Sequence, residues 1–351
     1  MQRVVNYGSF LQAYGLKKTL ESLGNNVEFI DYKFEKSIVE DKENNNILKK
    51  IKKNLNVINF LKKKKIVKKF KNEYNNSYLK MINVENGKYN YSTDIDTLVI
   101  GSDEVFNCLQ PYPVGYSRGL FGYGYEDKNV ISYAASFGFT TLHGLKEYNI
   151  DIEIEKCLKK FKAISVRDEN SYEIVNVLTH KEPSINFDPV LRSDFTEEIN
   201  DNSIKEKNYI IIYAYTGRLS KEEEKYIKKF AKKYNKKIIS LGFYQKIADK
   251  NLIVNPFMVL NYFKNADYVI TDTFHGTIFS VKMNTKFCTI IRKSNYNKLS
   301  YLLNKLKQKD RMVNDLNDIE ILYKKDINFD ESDKVIKEET EKSLDYLKTN
   351  I

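Results

Sequence analysis

Only three histidines occur in the 351 residues, and one of them, His275, stands in DTFHGTIFS (272–280), directly after the apolar YVIT (268–271). An imidazole titrates near neutral pH, so it can give or take a proton in a reaction. A second such junction is SVRDE (165–169), where Arg167 follows a β-rich run. Its guanidinium stays protonated and forks onto a carboxylate or a phosphate. A third, GSDEVFN (101–107), sets Gly101, Ser102 and Asp103 after TLVI. The fourth is NYGSFLQAYG (6–15), with Asn6, Gly8, Ser9 and Gln12 where a helix opens and leaves amides free for an anion. Thr273, Gly276 and Thr277 repeat that arrangement around His275, with a helix expected from about Thr277 and free amides at its start. One such cluster is ordinary helix-capping chemistry. Four at the same kind of junction are harder to dismiss as capping alone.

Elements that could hold these clusters alternate along the chain. NVEFIDY (26–32), TLVIG (97–101), VISYAAS (130–136) and FKAISVRD (161–168) read as strands, the first preceded by the helical LQAYGLKKTLESLG. The rhythm repeats with NYIIIYAYTG (208–217), KKIISLGF (236–243), DYVIT (267–271) and KFCTII (286–291), separated by helical KEEEKYIKKFAKKYN and FMVLNYFKNA. Strands alternating with helices predict parallel sheets in an α/β fold. Two Rossmann-like domains facing a cleft are expected: 1–185 and 186–330, with the boundary in NFDPVLRSDF. Residues 35–90 read as a mostly helical, Lys-rich insertion. Residues 331–351 read as a C-terminal helix that packs back on the first domain through Val335, Ile336, Leu344 and Leu347.

The net charge of +11 is local: residues 41–80 carry 13 Lys against 3 acidic residues. A solvated Lys-rich helix is the plain reading, and a surface that attracts anionic lipid or a polyanionic acceptor the sharper one. No nucleic-acid motif accompanies the charge, so no nucleic-acid partner is expected. No apolar run approaches the roughly 20 residues that span a bilayer. The opening MQRVVNYGSF has no basic-then-apolar leader, and three scattered cysteines suggest neither disulfides nor a metal site. A cytoplasmic, at most membrane-peripheral protein is expected, without a metal; nothing in the sequence speaks to an oligomer.

The ordered set NYGSFLQAYGLKKTLESLG, VEFIDY, DTLVIGSDEVFN, ISYAASFG, AISVRDE, FDPVL and ADYVITDTFHGTIFSV resembles the polysaccharide pyruvyl transferase family over about residues 6–312. The resemblance implies a two-domain, GT-B-like fold. It implies transfer of pyruvate from phosphoenolpyruvate, used as donor substrate with no cofactor, to hydroxyls of a cell-surface polysaccharide or its precursor. A cyclic ketal and free phosphate result. His275 and Arg167 map to the family's central residues, and Lys298, where the family often has Arg, to a second donor charge. Substrate contacts are expected from Asn6, Gly8, Ser9, Gln12, Gly101, Ser102, Asp103, Thr273, Gly276 and Thr277. The chain departs from the family's GSDQVWN at Glu104 and Phe106, and only MQRVV precedes NYG where a full strand is usual. Two alternatives stand beside this reading: a GT-B-type glycosyltransferase using a nucleotide sugar, and a non-catalytic member.

Overall fold

A computed structural model describes residues 2–39, 57–110, 115–199 and 204–351. Two parallel sheets organise them. The first has order β1-β2-β3-β4, with β1 Thr97–Asp103, β2 Asn129–Ala135, β3 Ser165–Val166 and β4 Ser184–Ile185. The second has order β10-β9-β8-β5-β6-β7. Its strands are β5 Tyr209–Tyr213, β6 Lys237–Leu241, β7 Lys250–Leu252, β8 Tyr268–Thr271, β9 Phe287–Ile290 and β10 Met312–Val313. Every pairing is parallel, for example Ile211 with both Ile239 and Val269. All five residues of β5, YIIIY, are buried, as a parallel strand covered on both faces requires.

The helices that matter below are α1 Tyr7–Ser22, α2 Val57–Glu73, α3 Leu142–Glu147, α4 Asp151–Lys159, α5 Glu169–Thr179 and α6 Pro189–Arg192. They continue with α7 Lys221–Lys233, α8 Pro256–Lys264, α9 Phe274–Lys282, α10 Tyr296–Lys305, α11 Asp318–Lys324 and α12 Asp330–Asn350. Local signals explain their starts. Ser220 and Glu223 form a reciprocal capping box on α7, and Pro189 fills the first turn of α6 behind its cap Asp188.

One core runs through both halves. Tyr7, Phe10 and Leu11 of α1, Phe70 and Tyr74, Val190 and Leu191 of α6, Ile211, Ile239 and Ile278 all belong to it. Full burial of one such side chain is worth about 1.5–3 kcal/mol. That is enough, over this many groups, to seat α1 and α6 firmly between the sheets. α12 returns to the first sheet: Tyr346 donates to the Ser132 carbonyl at 2.8 Å, and Leu347 packs with Ile131 and Tyr133.

The structure corrects the sequence reading in three places. Residues 26–32 form no strand and pair in no ladder. Val27–Glu35 and Thr97–Gly101 instead line a cavity of about 990 Å³ beside α1, and among the described residues β1 pairs on one side only, with β2. Gln2 to Val5 form turns and bends. The expected strand 161–168 shrinks to β3 plus an isolated bridge between Ala163 and Ile131. Finally, α9 begins at Phe274, three residues before the expected start. Of the Lys-rich insertion, residues 40–56 lie outside the described residues.

Candidate functional site

Parallel strands deliver their C-terminal ends to one edge. In the second sheet the strand order reverses between β5 and β8, and such switch points open a crevice outside the carboxyl ends of the strands. The two loops flanking that crevice are AYTGRLS after β5, with Arg218, and DTFHG after β8, with His275. From the first sheet, the ends of β1, β3 and β4 supply Ser102 and Asp103, Arg167, and Asp188.

These groups converge on Asp188. Its Oδ2 accepts from Arg167 Nη1 at 3.1 Å and from Ser102 Oγ at 3.3 Å, while His275 Nε2 stands 3.5 Å away. Arg167 Nη2 donates to Asp103 Oδ1 at 2.9 Å, and Ser9 Oγ to Asp103 Oδ2 at 3.3 Å. The guanidinium also stacks over Phe274, 4.3 Å from ring centroid to Cζ, so the residue before the histidine holds the arginine in place. His275 and Arg167 therefore belong to one cluster, although 108 positions separate them in the chain.

Burial alone would raise both aspartate carboxyls. At Asp103 the charges of Arg167, His275 and Lys298 more than offset it and hold the carboxyl well below the usual range. At Asp188 the His275 imidazole 3.5 Å away, and then the charge of Arg167, have the same effect. Two carboxylates thus face one guanidinium. Two buried donors in this cluster nevertheless have no hydrogen-bond partner: Arg167 Nε and His275 Nε2. Buried polar groups are nearly always satisfied, so two such atoms on one pair of side chains mark a place for an acceptor from outside the chain.

Other expected site residues serve the scaffold. Asn6 caps α1 through Gly8 N at 2.7 Å, and Thr273 caps α9 through Gly276 N at 2.9 Å. The Thr277 amide reaches Thr273 O, and its hydroxyl meets Thr289 Oγ1 at 3.0 Å. The expectation of free amides at Gly276 and Thr277 is therefore corrected: both are engaged, and the open amides of α9 belong to Phe274 and His275. Gln12 Oε1 accepts from Ser102 N at 3.2 Å. Gly101 has φ +137°, and a Cβ there would lie 2.0 Å from the Tyr133 carbonyl oxygen. Gly8 touches the site itself, since a Cβ on it would fall 2.2 Å from the His275 ring.

Lys298 donates to Glu104 Oε1, whose other oxygen accepts from Asn107 at 2.8 Å. Lys298 is thus spent on an ion pair between α10 and the loop after β1, not left free for a donor substrate. Phe106 is fully buried, 4.8 Å from the Phe121 ring centroid.

Sequence reasoning missed Asp188 and Arg218. Asp188 was visible as a helix-start Asp-Pro in FDPVL; Arg218 was visible as the polar end of YIIIYAYTGR, a fifth strand–loop junction. Arg218 is half-buried, 3.8 Å from Asp272 Oδ2, and lies over the Tyr215 ring at 4.7 Å. Arg292 beside it is tied bidentately to Glu223 at 2.6 and 3.0 Å. A separate pocket of about 470 Å³ lies between α5 and α10, lined by Glu169, Asn170, Tyr296 and Asn297 among others. Among the described residues, no group of three or more His, Cys, Asp or Glu is placed to hold a metal ion. Nor is any helix there long and apolar enough to cross a membrane.

Residues 6–294 match the family model described as polysaccharide pyruvyl transferase. A search of curated proteins finds no match. Among solved structures, a mutant form of O-GlcNAc transferase from Thermobaculum terrenum is similar at 11% identity and TM-score 0.39, covering 72% of this chain and 49% of its own. An alpha,alpha-trehalose 6-phosphate synthase from Burkholderia multivorans is similar at 7% identity and TM-score 0.40, covering 66% of this chain and 65% of its own. The chain thus spans about half of the first of these proteins and just under two thirds of the second.

Proposed function

Because the chain belongs to the polysaccharide pyruvyl transferase family, we propose that it moves pyruvate from phosphoenolpyruvate onto two hydroxyls of a polysaccharide or its precursor. The observation that carries the reading is the pair of unpartnered buried donors, Arg167 Nε and His275 Nε2. Phosphoenolpyruvate brings a carboxylate and a phosphate, and either group can satisfy them.

The residues divide the work. Arg167, fixed by Asp103, Asp188 and Phe274, presents Nε to one donor oxygen. The Phe274 and His275 amides at the start of α9 favour negative charge, and Arg218 supplies the cation that Arg167, neutralised by two aspartates, does not. His275 protonates the methylene carbon of the enol, which makes C2 electrophilic. A sugar hydroxyl then adds to C2 and returns its proton to the now neutral His275, and the proton of the second hydroxyl leaves with the phosphate. A second hydroxyl displaces phosphate, closing the cyclic ketal and leaving inorganic phosphate. Glu169, Asn170, Asn297 and the exposed ring of Tyr296 offer the hydrogen bonds and apolar face that suit a saccharide acceptor.

The test is phosphoenolpyruvate-dependent phosphate release with a saccharide acceptor. His275→Ala is expected to lower turnover by about 10²–10⁴-fold with an unchanged melting curve. Arg167→Lys is expected to lose donor binding in calorimetry, since an ammonium cannot replace the fork. Undiminished turnover in both variants, or binding of a nucleoside diphosphate in place of phosphoenolpyruvate, overturns the reading.

A further inference from the structure

Helix α2 is the part of the molecule that its own packing explains least. Asn59 and Ile66 are half-buried and Phe70 is buried, at i, i+7 and i+11 on one narrow stripe. Among the described residues, nothing covers the opposite face. Val57 is 63% exposed, Phe60 52%, Leu61 57% and Val67 50%. Lys64, Lys68 and Lys71 interleave with these apolar residues on the same outward face, and Lys62, Lys63, Lys65 and Lys69 flank it, all exposed. The seven lysines meet a single acidic residue, Glu73, within the helix. A solvated helix explains the lysines but not four large apolar side chains left in water.

We infer that the outer face of α2 docks on the anionic phospholipid surface of a bilayer. Apolar side chains enter the headgroup boundary there, while lysine stems lie along it and their ammonium groups reach the phosphates. Charge complementarity selects this occupant over a protein groove, because the cations surround the apolar residues on every side and leave no acidic rim.

The position of α2 gives the docking a consequence. The Phe70 ring lies 4.6 Å from that of Tyr7, the residue before Gly8, and packs against Gly242 just past β6. Tyr244 donates to Asn59 Oδ1 at 3.0 Å. The inner stripe of α2 therefore runs along the sheet edge where the catalytic loops end. A bilayer held by the outer face lies beside the cleft, where a lipid-anchored saccharide acceptor would enter; this last point rests on the proposed function, the docking does not.

The test is co-sedimentation of the full chain with phosphatidylcholine vesicles and with vesicles of two parts phosphatidylcholine to one part phosphatidylserine. Binding is expected only to the anionic vesicles, weakening as salt rises. K64E/K68E is expected to lower it at least tenfold. Phe60→Ser with Leu61→Ser is expected to abolish the residual binding that survives salt. All four side chains point to solvent, so melting curves should not change. Equal binding to neutral vesicles, binding indifferent to these substitutions, or capture of a DNA duplex with no vesicle binding would each overturn the inference. Vesicle binding needs no turnover, so its failure and that of the pyruvyl transfer reading are read separately.

Discussion

Gly8 and His275 approach so closely that a Cβ on residue 8 would lie 2.2 Å from both Cγ and Nδ1 of the imidazole and 2.7 Å from its Cβ. Real Cβ contacts do not occur at such distances. The first loop of the chain is thus the wall against which the ring is seated, while Asp188 faces its far nitrogen at 3.5 Å. One neighbour fixes position by contact and the other by charge. This explains why a glycine near the start and an aspartate in the middle of the chain serve one histidine near its end.

Gly8→Ala should therefore act on catalysis more than on folding. The added methyl must displace the imidazole from its seat opposite Asp188, and misplacement of a reacting group by about 1 Å can cost on the order of 10²-fold in rate. Turnover is expected to fall by roughly that factor, with the donor Kd changed little and α1 intact by circular dichroism. Ordinary turnover in Gly8→Ala would mean that the ring is free to move.

Glu104 and Lys298 illustrate how two departures from a family pattern cancel. Each alone places an unexpected charge or a weaker fork near the site; together they form one half-buried ion pair between α10 and the loop after β1. Burial would raise the Glu104 carboxyl, but Lys298 outweighs it and keeps it below the usual value. Glu104→Gln and Lys298→Met should each destabilise by about 1–3 kcal/mol, since each strands a charge or donor. The double variant should lose less than the sum, with a coupling of about 0.5–3 kcal/mol. Additive losses in urea unfolding would show that the pair is not formed.

The alternation of apolar runs and helical patterns sufficed to place β1, β2, β5, β6, β8 and β9, because each is at least four residues long and, apart from the half-buried β1, largely buried. It failed for β4, β7 and β10, which are two or three residues long and owe their pairing to neighbours already in place. It also failed for 26–32, whose composition suits a strand but which has no ladder partner: propensity proposes and pairing decides. At the site, residue types at strand ends exposed His275, Arg167 and Asp103. Their partners were harder to see. Asp188 looks like a plain helix cap, and its Oδ1 does cap α6 while Oδ2 faces the cluster; a side chain with two tasks shows only the local one in sequence. The fate of the Gly276 and Thr277 amides depended on where α9 starts, a matter of three residues.

Lys282 closes the helix that His275 opens, and its stability effect has a definite sign. Half-buried, it donates to the Leu191 carbonyl at 2.9 Å, and burial draws its ammonium from the usual 10.5 down to about 8. Below pH 8 the lysine is protonated in folded and unfolded chains alike, and the folded state bears a constant cost on the order of 3 kcal/mol. Between pH 8 and 10.5 the unfolded chain holds the extra proton, so stability rises with pH; above that range the cost is gone. Lys282→Met removes the charge and also the bond to Leu191, worth about 1 kcal/mol. The variant should therefore be more stable than the parent by about 1–2 kcal/mol at pH 7, with the advantage vanishing or reversing by about pH 10.5. Urea unfolding at the two pH values checks this, and a difference that does not change with pH would show that Lys282 keeps its charge at no cost.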